Sequence, residues 1–259
     1  MANKGLPNKS DEKIEEFLEI MSNIGSELQK IIESINKISG SREEVAFKRV
    51  IKALSLKALY THKAIELLLN HRFVFDSIVL LRSLLELVIS AGYISKDPYK
   101  RTNLFIEYDI VARKRMHDRA IEIYGEKNLK INSEALKEKY NRVKDNYKQK
   151  SRWSDKSIIG MAKEAGLEDV YNLFYSQHSD FVHSNIRTID NFLHIDFNRH
   201  TMSYPQEVNS KVYVEVIEQT STFSYMLATI LRDVFNLGEL EELEIFYNKL
   251  RRRLKIYRG

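Results

Sequence analysis

One unusually apolar stretch, residues 73–94 (FVFDSIVLLRSLLELVISAGYI), constrains the fold more than any other part of the chain. Its length suits a membrane span, yet Arg82 and Glu86 lie in its middle, and each ionic group near a bilayer centre costs roughly 2.5–3.5 kcal/mol. Four residues apart, the two charges share one face of a helix, and Ser90 and Tyr93 continue that stripe. The pattern predicts the central helix of a soluble bundle, with one narrow polar line on an otherwise apolar surface.

Residues that form turns or reactive thiols are scarce in this chain of 259 residues, which has 9 Gly, 3 Pro and no Cys. All-β and doubly wound folds need many turns, so the scarcity favours long helices. The lack of cysteine excludes disulfides, thiol catalysis and cysteine-based zinc sites. Residues 1–10 are polar and contain no apolar signal core, so we expect a cytoplasmic protein that is not bound to a membrane.

Local start and stop signals divide the chain into about eight helices. Ser10 is the expected N-cap of a first helix that reaches about Ile38, and Ser41 with Glu44 forms a capping box for the second. Pro98 suits the first position of the helix after the central one. The remaining helices are expected at about 99–124, 133–150, 158–165, 168–183, 211–237 and 239–257, with an irregular segment at 184–209.

These patterns predict an all-α multi-helix bundle that forms one domain over residues 1–259. It comprises an N-terminal helix within 1–40, a core at 46–195 and a C-terminal helical pair at 210–259. The net charge of +5 comes largely from basic residues in 137–152 and 249–258. Such runs are most often solvated helix faces, and RNA binding is the alternative.

Two groups of polar residues are candidates for a functional site. Arg82 and Glu86 are either a structural ion pair that fixes helix register or the lining of a site with a further partner. The second group lies in the segment YSQHSDFVHSN, where His178 and His183 are five residues apart and Ser179 shares a helix face with His183. Arg187 extends that face by one more turn.

A histidine beside a cation is what metal-free RNA cleavage requires, because the imidazole takes a proton from the 2′-hydroxyl and the cation stabilises the phosphate. The alternative is that Ser179 and His183 form hydrogen bonds within the core, to Arg82 or Glu86. His178, Asp180 and His183 match no compact metal-ligand spacing, so we predict neither a metal nor a cofactor.

Several motifs in the chain resemble, in their order, the bacterial domain-of-unknown-function family 5677, over about residues 46–191. They are residues 64–69 and 77–87, Tyr93-Ile94, Asp97-Pro98, Arg101, Trp153, Ser157-Ile158, Met161-Ala162, and the stripe of Tyr171, Tyr175, Ser179 and His183 followed by Ser184. The resemblance implies an all-helical fold and no established activity.

Through that family the chain also resembles the HEPN superfamily of helical proteins, which are usually dimers. Its active members are metal-independent RNases with an Arg-x4–6-His motif and are common in prokaryotic defence systems. By position, His183 corresponds to the HEPN histidine, while His178 stands where the arginine is expected. Arg187 and His194 keep the residue types and spacing, but Thr188 replaces the Asn, His or Asp that usually follows the arginine.

We therefore expect Arg82, Glu86, Ser179 and His183 to share one polar cluster. The leading functional hypothesis is a HEPN-like protein of prokaryotic defence or stress response that cleaves or binds RNA. In it His183 is the base and either Arg82 or Arg187 the phosphate partner. The alternative is a non-catalytic helical interaction module in which the cluster is structural. The expected partners are a second copy of the chain, RNA and a protein encoded in the same operon.

Overall fold

The computed structural model describes residues 9–125, 133–147, 152–182, 194–196, 199, 201–203 and 210–258. In these ranges it contains nine α-helices: α1 (Lys9–Ser34), α2 (Arg42–Asn70), α3 (Val74–Lys96), α4 (Pro98–Tyr124), α5 (Ser133–Val143), α6 (Ile158–Ala165), α7 (Glu168–Val182), α8 (Ser210–Phe235) and α9 (Glu241–Arg258). A 3₁₀ turn (Lys144–Tyr147) follows α5, and the short strands β1 (His194–Asp196) and β2 (Thr201–Ser203) pair antiparallel. The predicted all-α bundle is confirmed.

Helix α3 runs through the centre of the bundle, as its apolar sequence predicts. It packs against α2, α4, α6, α7 and α8, and its buried residues lie on nearly every side of the helix: Val74, Ser77, Ile78, Leu81, Leu84, Leu85, Leu87, Val88, Ile89, Ala91, Gly92, Tyr93 and Ile94. Gly92 allows close approach of α6, because a Cβ at this position would lie 3.2 Å from that of Ala165. Within the described ranges, no helix has the length and apolar character that crossing a membrane requires.

The helix boundaries that depend on local signals lie where the sequence predicts them. The Ser41 hydroxyl accepts a hydrogen bond from the Glu44 backbone N–H at 3.2 Å, which satisfies a donor that the first turn of α2 leaves free. Pro98 is the first residue of α4. Ser157 caps α6, and Gly166 ends that helix in the left-handed conformation at φ 76°.

Two predicted boundaries and one cap are wrong. Helix α1 ends at Ser34 instead of Ile38, because the Lys52 ammonium binds the Ile35 carbonyl at 2.6 Å and the chain beyond it is no longer helical. Ile35 stays buried all the same, which explains why the apolar spacing continues past the end of the helix. Because α1 already includes Ser10, that residue is not its N-cap.

The helix predicted over 133–150 also ends early, at Val143, and the chain continues as the 3₁₀ turn. This tighter turn brings Tyr147 beneath α4, where its hydroxyl donates to the Leu104 carbonyl at 2.7 Å. Val111, Val143 and Tyr147 form a small core between α4 and α5, separate from the main one. The weakly apolar α5 therefore packs along a thin stripe.

A fully buried histidine connects three helices of the main core. His62 of α2 donates from Nε2 to the Met21 carbonyl of α1 at 3.2 Å, and its Nδ1 lies 2.8 Å from the Ser224 hydroxyl of α8. The carbonyl can only accept, so Nε2 carries the proton and Nδ1 accepts from the hydroxyl. Burial lowers the pKa of His62 to about 4, so the ring is neutral at pH 7.

His62 makes the stability of the fold depend on pH. Between pH 6.5 and about 4 the unfolded chain binds a proton that folded His62 does not, so the free energy of unfolding should fall as pH falls through that window. The loss should approach about 3 kcal/mol, since each pKa unit corresponds to about 1.4 kcal/mol. Urea unfolding at pH 7.5, 6.5, 5.5 and 4.5 measures this slope.

Two variants isolate the contribution of His62 from that of other titrating groups. His62→Gln should unfold more easily at pH 7.5 but lose less stability on acidification than the wild type. His71→Gln, which changes an exposed histidine, should keep the wild-type slope. Equal slopes for the wild type and His62→Gln would show that His62 does not cause the pH dependence.

Gly25 on α1 provides the space that the His62 ring occupies. A Cβ at Gly25 would lie 2.6 Å from His62 Nε2, and the ring is held on both sides by its hydrogen bonds. Gly25→Ala should lower the free energy of unfolding by about 1–3 kcal/mol through overpacking, despite the better helix propensity of alanine. In Gly238→Ala, where nothing lies within 4 Å of the added Cβ, stability should change little. Chemical denaturation compares the two, and a stabilised Gly25→Ala would contradict the packing argument.

Candidate functional site

The two charges of α3 form the ion pair that their spacing predicts. Arg82 Nε donates to Glu86 Oε1 at 3.3 Å, one turn along the same helix. The side chain of Arg82 is 19% exposed and that of Glu86 is 38% exposed. The pair therefore lies at the edge of the core, partly open to solvent, and not within it.

A tyrosine of α7 completes this pair. Tyr175 accepts a hydrogen bond from Arg82 Nη2 at 2.7 Å and donates from its hydroxyl to Glu86 Oε1 at 3.0 Å. The Arg82 guanidinium also lies over the Tyr175 ring, 4.6 Å from its centroid, and Tyr171 stacks beside that ring at 4.4 Å. These contacts fix α7 against α3 through one cation, one carboxylate and one phenol, which we call the Arg82 triad.

The electrostatics of the triad keep Arg82 charged and the Tyr175 phenol neutral at pH 7. Burial works to lower the pKa of Arg82, but the hydrogen bonds with Tyr175 and Glu86 outweigh it, so its pKa is raised. Burial raises the pKa of Tyr175, and the Glu86 carboxylate adds to that increase. The triad thus holds a permanent cation beside a phenol that does not ionise near pH 7.

Helix α7 runs antiparallel to α3. Leu167, just before α7, lies near Gly92 towards the end of α3, whereas Tyr175 contacts Arg82 in the middle of α3. The last two turns of α7 therefore lead from the triad towards the N-terminal half of α3. His178 lies on these turns, and Val182 is the last residue of the helix.

The sequence-predicted site residues are only partly covered by the described structure. Arg82 and Glu86 lie together, as predicted. The backbones of His178 and Ser179 belong to α7, and their side chains lie outside the described residues. His183 and Arg187 lie outside the described residues altogether. The shared cluster of Arg82, Glu86, Ser179 and His183 stays a prediction.

A second polar cluster joins α3, α4 and α6 to the loop at 152–157. Arg101 donates to the Tyr93 carbonyl at 2.6 Å, lies over the Tyr93 ring and pairs with Glu164. The Tyr93 hydroxyl donates to Asp155 at 3.2 Å, and Trp153 packs edge-on against Tyr93. Each polar group in this cluster has a partner within the cluster, which indicates that it anchors the loop.

The residues of both polar clusters come from one continuous part of the chain. Residues 47–201 match the sequence profile of a family of unknown function, DUF5677, which covers more than half of the chain. The chain belongs to this family. No curated protein and no solved structure matches it. The DUF5677 region contains α3 to α7 and most of α2, and so it holds both the Arg82 triad and the second polar cluster, around Arg101 and Tyr93.

The sequence analysis missed the role of Tyr175, although the signal was present. Tyr175 lies one turn before Ser179 on the stripe of Tyr171, Tyr175, Ser179 and His183 that the DUF5677 resemblance includes. The tyrosines and the histidine on one face of this helix predict a polar contact with a neighbouring helix. The sequence does not show which neighbouring helix makes that contact.

Removing the Tyr175 hydroxyl should weaken the α3–α7 contact. Tyr175→Phe keeps the ring but leaves Arg82 and Glu86 each without one hydrogen bond, so the free energy of unfolding should fall by about 1–2 kcal/mol. In a Glu86→Gln background the loss should be smaller, because the two groups share one interaction. Chemical denaturation measures both. Tyr60→Phe, at a side chain that is 70% exposed, should leave stability unchanged. If Tyr175→Phe and Glu86→Gln lower the free energy of unfolding additively, the two side chains do not interact, and the observed hydrogen bond is contradicted.

Proposed function

We propose that the chain is a HEPN-like helical protein of prokaryotic defence or stress response that acts on RNA as a metal-independent ribonuclease. One observation supports this most directly. The 2.7 Å contact between Arg82 and Tyr175 joins a permanent cation to the helix whose last residue, Val182, immediately precedes His183. The proposed base, His183, therefore follows directly after α7, the helix that Tyr175 fixes against Arg82. Arg82 is the proposed phosphate-binding group.

The proposed reaction uses His183 as the base and Arg82 as the phosphate partner. His183 takes the proton of a ribose 2′-hydroxyl, and the 2′-oxygen forms a bond to the adjacent phosphorus. The bond from phosphorus to the 5′-oxygen of the next nucleotide breaks, and that oxygen receives a proton from the imidazolium. The products are a 2′,3′-cyclic phosphate and a 5′-hydroxyl. Arg82 stabilises the charge on the phosphate during this step.

The other residues of the proposed site have supporting roles. Glu86 and Tyr175 orient the Arg82 guanidinium through the bonds they share with it. The backbones of His178 and Ser179 belong to the turns of α7 between Tyr175 and His183, and in this proposal both residues contact the substrate. Arg187 is the second candidate for the phosphate partner. The HEPN resemblance further implies a homodimer. The proposal includes a cytoplasmic location and a protein partner encoded in the same operon.

A non-catalytic interaction module is the second candidate function, and one observation favours it. Within the Arg82 triad, Arg82, Glu86 and Tyr175 each bond to the other two. Groups bonded to one another in this way contribute to the specific packing of two helices without any substrate. In this case function resides in the outer surfaces of the bundle.

Cleavage of total RNA in EDTA tests the two candidates against each other. The wild type should degrade RNA without a divalent metal. His183→Ala should reduce the rate at least ~100-fold, the lower range for loss of a general base. Arg82→Gln should reduce it by a similar factor through loss of transition-state stabilisation.

The matched control is Arg113→Gln, which removes an exposed arginine of α4 from a comparable i, i+4 pair with Asp109. It should cleave at the wild-type rate. Circular dichroism and thermal unfolding check that every variant is folded. If the folded wild type does not cleave RNA and Arg82→Gln lowers the melting temperature, the ribonuclease proposal is wrong and the structural role of the triad is supported.

A further inference from the structure

The C-terminal helix α9 has two chemically different faces. Its inner face carries the buried residues Leu243, Leu250 and Leu254, and α9 packs there against α1 and α8. Its outer face carries a line of exposed residues at positions i, i+4, i+7 and i+11, which we call the α9 stripe: Ile245, Lys249, Arg252 and Ile256. At this spacing, all four side chains lie within one narrow sector of the helix.

Two of the six cations of α9 hold the helix to the body of the bundle, and two others lie on the stripe. Arg253 forms an ion pair with Glu16 of α1 at 2.8 Å, and Arg258 pairs with Glu218 of α8, so these two hold α9 to the body. Lys249 and Arg252 are exposed and have no carboxylate within ion-pair distance among the described residues. The stripe therefore presents two positive charges that the described part of the chain does not neutralise.

The two isoleucines distinguish the stripe from an ordinary solvated basic face. Ile245 is 58% exposed and Ile256 is 72% exposed. They lie at the ends of the stripe, about 16 Å apart along the helix axis, with both cations between them. A partner that carries both apolar and negatively charged side chains can contact all four residues of the stripe.

A second copy of α9 does not fit this surface. If two copies of the stripe met antiparallel, each Ile245 would lie opposite Ile256, but each Lys249 would lie opposite Arg252. In a parallel arrangement each cation would lie opposite itself. Both pairings bring like charges together, which disfavours self-association. The occupant must carry negative charge.

The isoleucines also decide between the classes of anionic partner. Nucleic acid would engage the cations through its phosphates and leave both isoleucines in water. A helix that binds a membrane presents a continuous apolar face, whereas the stripe is interrupted by charges and the apolar face of α9 already packs inward. An amphipathic helix with acidic residues between two apolar ones matches the stripe in both respects.

We propose that the α9 stripe is a docking surface for an acidic amphipathic helix of another protein. The partner helix places two apolar side chains about three turns apart against Ile245 and Ile256, and its carboxylates pair with Lys249 and Arg252. This proposal does not depend on the ribonuclease site, because among the described residues α9 makes no contact with α3 or α7.

Fluorescence anisotropy with labelled synthetic peptides tests the proposal on the full chain. The probe is a helical peptide of about 20 residues, with two leucines eleven positions apart and glutamates between them. It should bind the wild type, more weakly as salt increases. The same peptide with serines in place of the leucines should bind about tenfold more weakly, and a peptide with lysines in place of the glutamates should not bind.

Variants of the chain locate the binding surface. Ile245→Ser with Ile256→Ser, and separately Lys249→Glu with Arg252→Glu, should each weaken binding about tenfold or more. Lys57→Glu, at an exposed position of α2, should bind like the wild type. Failure of the acidic peptide to bind overturns the proposal. So does tighter binding of a single-stranded RNA oligomer, or of vesicles of an anionic phospholipid, that is insensitive to the isoleucine changes.

Discussion

The burial of α3 on nearly all sides is the constraint on which the rest of the structure depends. Each fully buried Leu or Ile of this helix contributes about 1.5–3 kcal/mol relative to exposure, and a single neighbouring helix covers only one stripe of it. Helices α2, α4, α6, α7 and α8 all pack against α3 and together enclose it. Their positions follow from the need to remove this one surface from water.

The polar line of α3 is the exception to its apolar surface, and it carries the charged side chains Arg82 and Glu86. Where α7 packs against it, Tyr175 bonds to both Arg82 and Glu86, and part of each of these two side chains still reaches solvent. A cation held in this way is rigid and permanent, the properties needed either to bind a phosphate or to fix two helices in register. The proposed ribonuclease and the non-catalytic module are two uses of one arrangement.

The DUF5677 region does not form the main core alone. Ser224 of α8 binds His62, and Phe223 packs edge-on against Phe174 of α7. Helix α1 supplies the Met21 carbonyl to the same histidine. Helices α1 and α8, which lie outside the matched range, therefore complete the core around the family region. Helix α9 packs against α1 and α8.

The sequence predicts those features of the fold that depend on neighbours within a few residues. The cap at Ser41, the start of α4 at Pro98 and the Arg82–Glu86 pair all depend on contacts within one turn of helix. The early end of α1 was not predicted, because it depends on Lys52, seventeen residues further along the chain. The same holds for Tyr175, whose partners lie about ninety residues away, so only the packed structure identifies them.

The proposed ribonuclease site requires His183 to lie beside Arg82 in one cluster. Tyr175 contacts Arg82, and the seven residues from there to the end of α7 advance only about 10 Å. Because the chain has no cysteine, spin labels can be attached uniquely to Ser83→Cys on α3 and Ser184→Cys. Double electron–electron resonance should give a distance of about 20 Å or less between the two spin labels. A distance of about 30 Å or more, comparable to the diameter of a small domain, would place the two residues on opposite sides of the bundle and contradict the account.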